Sequence, residues 1–388
     1  MSSHAAQRAI ADVLQNGKAL LKFISPNNVG LTGSHECGYY LPKSAWELYT
    51  PHAPIKGQFK EHMVDITWPD GRVTNSCIKW YGQKTRSEYR LTRFGRDFPW
   101  LTADNIGDLL VFVPTGSNTF AAHVLDLEED IDDVQAALGL EISGSWAVYE
   151  AGAAEEEFDE DECIDTRFRE FASALTDFPG TEAFSHETQS ILKDCIASFA
   201  GISPDKQIVS LVDSEYRLFR LVERRLCADQ ITRVLKSVDD FMQTAATIMN
   251  RSKARAGRAL ENHVEYILNE SGIPFDVRPN VDGKPDIVIP GKAQYDDPGF
   301  PVEKLFMIGI KTTCKDRWRQ VLNEAKRIPD KHLLTMQPGI SGAQLQEMKD
   351  ARLSLIVPEP LHNNYPPDSP MSLLSVNNFI DHIKHRLG

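Results

Sequence analysis

The sequence of 388 residues has few cysteines and no long apolar segment. Its six cysteines are scattered, without a CxxC pair or a His/Cys cluster, which argues against a zinc site and predicts free thiols. No apolar run approaches the roughly eighteen residues of a membrane-spanning helix, so no membrane partner is expected. The first residues lack a basic stretch followed by an apolar one, so a cytoplasmic location without secretion is predicted.

Lysine and arginine are absent from 124–162, where Asp and Glu are frequent. Within this stretch EEEFDEDE is typical of an extended acidic linker, because like charges repel one another and oppose collapse. The chain is long enough for two domains, and its 41% hydrophobic content suits globular cores. We therefore predict a domain at 1–150, a linker at 151–170 and a second domain at 171–388.

The net charge of −13 argues, taken alone, against a polyanionic partner. The charge is unevenly distributed, however. The segment IKWYGQKTRSEYRLTRFGR has Glu88 as its one acidic residue and six basic ones: Lys79, Lys84, Arg86, Arg90, Arg93 and Arg96. A local basic strip, rather than the total charge, sets affinity for phosphate, so a nucleic-acid partner stays open.

Two short apolar runs, 286–289 and 306–310, are predicted to form adjacent buried strands bounded by Pro and Gly. Asp286 opens the first run, Lys311 follows the second, and Glu324 comes thirteen positions later. A carboxylate and an ammonium at the same ends of two paired strands can hold a divalent cation and a phosphodiester. This pattern therefore predicts cleavage of a phosphate ester.

After the second strand, apolar residues recur at three- and four-residue steps, which predicts a helix with one buried face. These residues are Trp318, Val321, Leu322, Ala325 and Ile328. Arg317 and Glu324 would share another face of this helix, about 10 Å apart. One interpretation gives a base-reading arginine and a metal-facing carboxylate; the alternative is a pair of solvated surface charges.

A further amphipathic helix is predicted in RSKARAGRALENHVEYILNESG, ending near Gly272. Its apolar stripe is Leu260, Val264, Ile267 and Leu268. Glu261 flanks this stripe, in a position to lean over the strands and supply another carboxylate.

The order Glu261, Asp286, Lys311, Glu324 resembles the PD-(D/E)XK nuclease core, in the variant whose second carboxylate follows the lysine strand. More narrowly, ARAGRALENH, GKPDIVIP, KTTCKDRWRQVLNEA and VPEPLHNNYP resemble the EcoRII-type restriction endonucleases. The resemblance implies an α/β restriction-endonuclease-like domain with Mg²⁺ as its cofactor and no organic cofactor. Asp286, Glu324 and Glu261 would hold the metal, and Lys311 would orient the attacking water and stabilise charge on the phosphate.

The same resemblance implies how DNA is read and cut. Lys315, Asp316 and Arg317 would enter the major groove, with Arg317 bonding guanine and Asp316 accepting from a cytosine amino group. The site would be short and related to CCWGG, its central base pair would flip, and 5′ overhangs would result. A homodimer would match the two-fold symmetry of the site.

Residues 1–150 are predicted to be mostly β-structure, as a barrel or a sandwich. The strand candidates are CGYYLP, EHMVDITWPDG, TNSCIKWYG, YRLTRF, LLVFVP and TFAAHVLDL. The opening AAQRAIADVLQNGKALLKFIS predicts a helix leading into the first strand.

GLTGSHECGYYLP and GQKTRSEYRLTRFGR resemble the two DNA-gripping arms of the effector domain in EcoRII-type enzymes. That resemblance implies a β pseudobarrel that binds a second copy of the DNA site and relieves autoinhibition. The residues implied to contact DNA are His35, Tyr40, Lys84, Arg86, Glu88 and Arg90. Without the resemblance, the alternative is an edge strand protected by charge.

The second half begins with helices at DTRFREFASALTDF, HETQSILKDCIASFAG and EYRLFRLVERRLCADQITRVL, followed by SVDDFMQTAATIMNRSKAR. Further strands are predicted at HLLTM and RLSLIVP, with ISGAQLQEMKDA helical between them and NNFIDHIKHRL as the last helix. Helices flanking strands indicate an α/β domain.

Together these patterns predict a multidomain, Mg²⁺-dependent endonuclease acting on double-stranded DNA. One alternative is a DNA-binding regulator that retains a catalytically silent nuclease core; cleavage of a plasmid in Mg²⁺ but not in EDTA separates the two. Another is a nuclease for RNA or single strands, which the scarcity of stacking aromatic residues near the basic strips disfavours. For the acidic run, the alternative to a simple tether is a segment that competes with DNA for a basic groove.

Overall fold

The computed structural model describes residues 3–32, 37–83, 86–142, 144–152, 162–232 and 237–388. Contacts divide these residues into two compact units. The first unit holds the described residues up to 152 together with 337–347 and 363–370, and the second holds the others. No helix in the described ranges is long and apolar enough to cross a membrane.

The first unit is built on a sheet of eight strands in the order β2-β5-β4-β3-β7-β6-β1-β8. Its neighbouring strands are antiparallel except for β3 and β7, which are parallel. The strands are β1 (Lys18–Phe23), β2 (Tyr39–Leu41), β3 (Phe59–Thr67), β4 (Val73–Tyr81), β5 (Glu88–Thr92), β6 (Leu109–Pro114), β7 (Thr119–Leu125) and β8 (Trp146–Glu150). Helices α1 (His4–Asn16) and α2 (Glu128–Leu138) also belong to this unit.

Both faces of this sheet are covered by apolar cores, because side chains alternate along each strand. Leu20 of β1 and Phe112 of β6 lie in one core, whereas Leu21 and Val111 lie in the other, which also contains the apolar face of α1. The predicted strand candidates correspond to β2 through β7.

The predicted N-terminal helix is only half correct. Ser3 caps α1 by accepting from the amides of Ala5 and Ala6, and Gly17 ends it at φ 73°. The residues that follow form β1 instead, because the apolar run Ala19–Leu21 suits a strand buried on both faces, although Lys22 interrupts the run.

Two elements of the first unit were not predicted, α2 and β8. Helix α2 lies inside the lysine-free acidic stretch, and its buried residues include Ile131 and Val134. Acidic residues in its first turn are favoured by the helix dipole, so part of this stretch folds rather than serving as a tether.

Helices dominate the first part of the second unit: α3 (Glu162–Ala174), α4 (Thr181–Cys195), α5 (Pro204–Thr232) and α6 (Val238–Glu270). Phe168, Phe184, Phe199 and Phe219 lie in their shared core. The predicted linker at 151–170 is therefore too long, because α3 begins at Glu162 and buries Ile164 and Phe168.

Cys163 of α3 and Cys195 of α4 are joined by a disulfide, with their Cα atoms 5.7 Å apart. The prediction of free thiols is wrong for this pair. The two cysteines are 32 positions apart in sequence, and that spacing did not reveal that α3 packs against α4. Cys314, which lies in the predicted site region, is a fully buried thiol.

The second unit also contains a five-stranded sheet in the order β13-β12-β11-β10-β9. Its strands are β9 (Asp276–Val277), β10 (Ile287–Ile289), β11 (Phe306–Lys311), β12 (Lys331–Thr335) and β13 (Leu353–Ile356). The remaining helices are α7 (Lys292–Asp296), α8 (Trp318–Val321), α9 (Gly342–Asp350) and α10 (Val376–Leu387). The strands predicted at 286–289, 306–310, 332–336 and 352–358 are thus confirmed to within two residues, as are the two C-terminal helices predicted at 340–351 and 377–387.

Candidate active site

Strands β10 and β11 are antiparallel, and Ile287 lies opposite Ile308. This register brings the start of β10, where Asp286 stands, to the end of β11, where Lys311 stands. The apolar residues of both strands are buried and hold the pair in place. Two residues 25 positions apart in sequence therefore meet at one edge of the sheet.

Asp286 and Lys311 form an ion pair, with Asp286 Oδ2 3.1 Å from Lys311 Nζ. The same oxygen accepts a hydrogen bond of 2.7 Å from the amide of Ile310. The side chains are only 15% and 24% exposed, so the pair is partly sheltered and can still be reached from solvent. Two donors fix the orientation of this carboxylate before any ligand binds.

Glu324 belongs to the same electrostatic cluster. Burial and, to a smaller extent, the negative charge of Asp286 raise the pKa of its carboxyl to about 7, against the opposing effect of Lys311 and Lys331. Its Oε2 is buried and makes no hydrogen bond to the described part of the chain. The structure thus brings together Asp286, Lys311 and Glu324, which the sequence pattern assigned to one site.

The predicted helix that was to carry Glu324 is wrong beyond its first turn. Helix α8 ends at Val321, and Ala325 has a φ of 43°, which no right-handed helix contains. Trp318, Val321, Ala325 and Ile328 are nevertheless buried, as their spacing predicted. The expected separation of Arg317 and Glu324 by two helical turns does not apply, because Glu324 lies in the irregular segment after α8.

Glu261 lies on α6, whose predicted apolar stripe is buried. Its carboxylate accepts hydrogen bonds from the guanidinium groups of Arg258, at 2.6 Å, and Arg278, at 2.6 and 2.9 Å. The backbone amide of Arg278 in turn donates to the carbonyl of Asp286 at 2.8 Å. Glu261 is therefore connected to the Asp286 strand through an arginine, and its predicted part in metal binding stays a prediction.

In the ranges that the structure describes, no group of three or more His, Cys, Asp or Glu side chains is arranged to hold a metal. The predicted set of three carboxylates is thus not assembled in this conformation. Asp286 and Glu324 still fit a magnesium ion, which proteins often hold with one or two carboxylates plus water and substrate phosphate. The unsatisfied Oε2 of Glu324 is the observation that supports this fit.

The predicted base-reading triplet follows β11. Asp316 is exposed and Arg317 is half-buried, with its Nη2 3.3 Å from Thr313 Oγ1. Lys315, in contrast, is only 6% exposed. These exposures are compatible with groove contacts by Asp316 and Arg317, and in this conformation not by Lys315.

In the first unit, Tyr40 of β2 lies opposite Arg90 of β5. Arg90 Nε is 3.1 Å from Glu88 Oε1, and burial together with the charge of Glu88 raises the pKa of Tyr40. Exposed Arg86 stands just before β5, with its guanidinium 5.5 Å from the centre of the Tyr81 ring. His35 and Lys84, also predicted to contact DNA, lie outside the described residues.

Sequence reasoning missed Lys331 and Asp282, which both contact the segment carrying Glu324. Lys331 opens β12 and is 5% exposed. The available signal was a lysine at the start of a buried apolar strand, because a buried ammonium must find acceptors.

Two family models match the chain. The N-terminal domain of restriction endonuclease EcoRII matches residues 15–152, and the C-terminal domain of EcoRII matches residues 219–380. The chain is also 31% identical, over 394 aligned positions, to the type II restriction enzyme EcoRII of Escherichia coli, and the match covers 94% of each chain. The chain belongs to the EcoRII family of type II restriction enzymes.

Membership of the EcoRII family makes the chain a restriction endonuclease, that is, a site-specific deoxyribonuclease. A shorter match is 28% identical over 116 residues to the type II restriction enzyme SsoII of Shigella sonnei, covering 27% of this chain and 37% of SsoII. The solved complex of restriction endonuclease PspGI with substrate DNA is similar with a TM-score of 0.46 and 14% identity. That similarity covers 54% of this chain and 93% of PspGI.

Proposed function

We propose that this EcoRII-family enzyme hydrolyses double-stranded DNA at a short site related to CCWGG, using Mg²⁺. The observation that carries the proposal is the cluster of Asp286, Lys311 and Glu324 at one edge of the second sheet. Two carboxylates and an ammonium are the groups that a metal-assisted phosphodiester hydrolysis requires.

Asp286 and Glu324 hold the metal in this proposal, and Glu261 completes the set when Arg258 and Arg278 release its carboxylate. When bound, Mg²⁺ offsets charge on the phosphate and lowers the pKa of water. Lys311 is held at the site by its ion pair with Asp286. Its ammonium donates a hydrogen bond to the attacking water or to the phosphate oxygen on which negative charge develops.

Residues on the segment after β11 read the bases. Arg317 donates two hydrogen bonds to guanine and Asp316 accepts one from a cytosine amino group, while Lys315 adds positive charge. The enzyme acts as a homodimer whose two-fold axis coincides with that of the DNA site, with the central base pair flipped out and 5′ overhangs left after cutting.

The first unit, taken as the domain 1–150 with a pseudobarrel fold, acts as the effector domain, and the second unit, which begins with α3, is the PD-(D/E)XK domain. Tyr40, Arg86, Glu88 and Arg90, together with His35 and Lys84, contact a second copy of the site and relieve autoinhibition. The pairing of β2 with β5 brings Tyr40 next to Arg90, which places two of these residues on neighbouring strands. In this conformation Arg90 is 8% exposed, so its contact with DNA requires a rearrangement.

Digestion of a phage genome of known sequence tests the proposal. The full chain is incubated with this DNA in Mg²⁺ or in EDTA, and the fragment ends are sequenced. We expect ends at a single CCWGG-related sequence, in Mg²⁺ only, and faster cutting of plasmids with two sites than with one. Ends at unrelated sequences, cutting in EDTA, or normal cutting by Asp286→Asn would each overturn the corresponding part.

A further inference from the structure

The backbone of the segment that carries Glu324 is held by the side chain of Lys331. The Nζ of Lys331 donates to the backbone carbonyls of Glu324 at 2.6 Å, Ala325 at 2.9 Å and Ile328 at 2.6 Å. Three acceptors match the three protons of an ammonium, so this buried lysine is fully satisfied by main chain. No side-chain carboxylate is among these three acceptors.

Asp282 also holds this segment. Its backbone carbonyl accepts from the amide of Ala325 at 2.8 Å, and its Oδ2 accepts from the amide of Lys326 at 2.6 Å. Its Oδ1 accepts from the hydroxyl of Tyr295 at 2.5 Å, and this hydroxyl accepts from the amide of Arg327 at 3.2 Å. The carbonyls of the segment thus accept hydrogen bonds from a lysine, and the amides of the segment donate to an aspartate and a tyrosine.

Gly283, next to Asp282, touches Glu324 directly. A Cβ atom at Gly283 would lie 2.5 Å from the Cα of Glu324 and 2.6 Å from the carbonyl oxygen of Asn323. Asp286 follows three residues later on the same loop. One loop therefore grips the backbone of Glu324 and also delivers Asp286.

We propose that Lys331 and Asp282 are positioning residues that hold Glu324 beside the loop that carries Asp286 in the absence of metal. The proposal rests on the proposed function, because it assumes that Glu324 is a ligand. Asp286 and Glu324 repel each other when both are charged, so an unrestrained segment would move away from the site. The hydrogen bonds of Lys331 and Asp282 to the backbone oppose this movement without occupying the carboxylate itself. The ammonium of Lys331 also offsets part of the repulsion.

The test compares Lys331→Met, Lys331→Arg and Tyr295→Phe in the full chain. Lys304→Met is the matched control, because Lys304 is also partly buried and also donates to a backbone carbonyl, that of Leu387. Binding of Mn²⁺ is measured by electron paramagnetic resonance without DNA, amide exchange is followed over 324–328, and cleavage is measured in Mg²⁺.

We expect Lys331→Met to weaken Mn²⁺ binding about 10- to 100-fold, the range found when partners of ligating residues are removed. Amide exchange over 324–328 should accelerate, Lys331→Arg should restore part of both properties, and Lys304→Met should change neither. In a Glu324→Gln background, Lys331→Met should have no further effect on Mn²⁺ binding, since the residue acts through Glu324.

Unchanged Mn²⁺ binding in Lys331→Met, or equal effects of Lys331→Met with and without Glu324, would show that Lys331 only stabilises the fold. If Lys331→Met does not fold, the same measurements on Tyr295→Phe test the proposal, because this variant removes the one hydroxyl that links Asp282 to the amide of Arg327. If Glu324→Gln itself leaves metal binding and cleavage intact, the assignment of Glu324 as a ligand fails. Amide exchange over 324–328 still tests the restraint by Lys331 in that case.

Discussion

Asp286 Oδ2 accepts hydrogen bonds both from the side chain of Lys311 and from the amide of Ile310. The metal ligand and the cation of the proposed mechanism are therefore oriented by the same strand, β11. The hydrogen bond from the amide of Ile310 does not depend on the side chain of Lys311. Replacement of Lys311 alone should therefore leave Asp286 in place. The contributions of the two residues to catalysis can thus be separated experimentally.

Replacement of Lys311 by Met should lower kcat about 100- to 1000-fold, the range found when one group that stabilises a transition-state oxyanion is removed. Binding of the DNA site should remain within a few-fold, because the side chain acts mainly after binding. Single-turnover cleavage and a gel-shift assay in EDTA measure the two effects. Lys384→Met, at an exposed position on α10, is the control and should behave like the parent enzyme.

Glu324→Gln should stabilise the metal-free enzyme more at pH 8 than at pH 5. The folded-state pKa of Glu324 is raised from 4.5 to about 7, so the folded enzyme binds its proton more tightly than the unfolded chain. Stability from this carboxyl is present below pH 4.5 and is lost as the pH rises to about 7. Glutamine does not titrate, and the gain above pH 7 has a ceiling of about 3 kcal/mol.

Urea denaturation in EDTA at both pH values measures this difference. A gain from Glu324→Gln that is equal at pH 5 and pH 8 would contradict the raised pKa. Saturating Mg²⁺ should reverse the order of stability at pH 8, because the metal stabilises the folded parent enzyme, whereas the neutral amide of the variant offers the ion no charge.

Gly283→Ala should destabilise the enzyme and reduce cleavage at least 10-fold. Gly283 has a φ of 76°, and an added Cβ would collide with the backbone of Glu324. Gly272→Ala is the matched control, since Gly272 has a φ of 70° but open space around its Cβ position. The control should lose only the cost of the left-handed conformation, about 1–2 kcal/mol, and keep its activity. Denaturation curves and cleavage rates for both variants decide the point.

Arg86→Ala should weaken binding of the additional DNA site and change its salt dependence. Arg86 is exposed beside β5, and a contact with one phosphate contributes about one unit to the slope of log K against log salt. Titrations of the full enzyme with labelled DNA from 50 mM to 200 mM salt, a range chosen to span the steep part of the dependence, measure this slope. An unchanged slope, matching that of Arg8→Ala on α1, would exclude Arg86 from the DNA contact.

His263→Leu should lower the free energy of unfolding by about 1–3 kcal/mol, because it leaves buried polar groups without a polar neighbour. His263 Nε2 lies 3.0 Å from Glu215 Oε2, and both side chains are fully buried between α5 and α6. Arg255 Nη1, 3.6 Å from Glu215, would be left as the remaining counter-charge. His186→Leu, at an exposed position of α4, should stay within about 0.5 kcal/mol of the parent in the same urea titration.

The antiparallel strands β10 and β11, which bring Asp286 and Lys311 together, could be predicted from sequence because they are short, apolar and bounded by turn residues. The same holds for the buried stripe of α6, where Leu260, Val264 and Ile267 repeat with helical spacing. In both cases local pattern and tertiary environment demand the same structure.

The segment after α8 could not be predicted, because long-range hydrogen bonds override its helical pattern. Lys331 and Asp282 take the carbonyls and amides that a continuing helix would have paired internally. Apolar residues at helical spacing are buried there without being helical. The contact of Cys163 with Cys195 likewise depends on how two helices pack, which spacing along the chain does not encode.

Strands β10 and β11 pair with Ile287 opposite Ile308 and Ile289 opposite Phe306. Since side chains point to alternate faces, losing a single residue from either strand would send Asp286 and Lys311 to opposite faces of the sheet. Loss or gain of two residues leaves both side chains on the same face of the sheet and only shifts their position along the strand. Length changes inside these strands can therefore be accepted during divergence only in even steps.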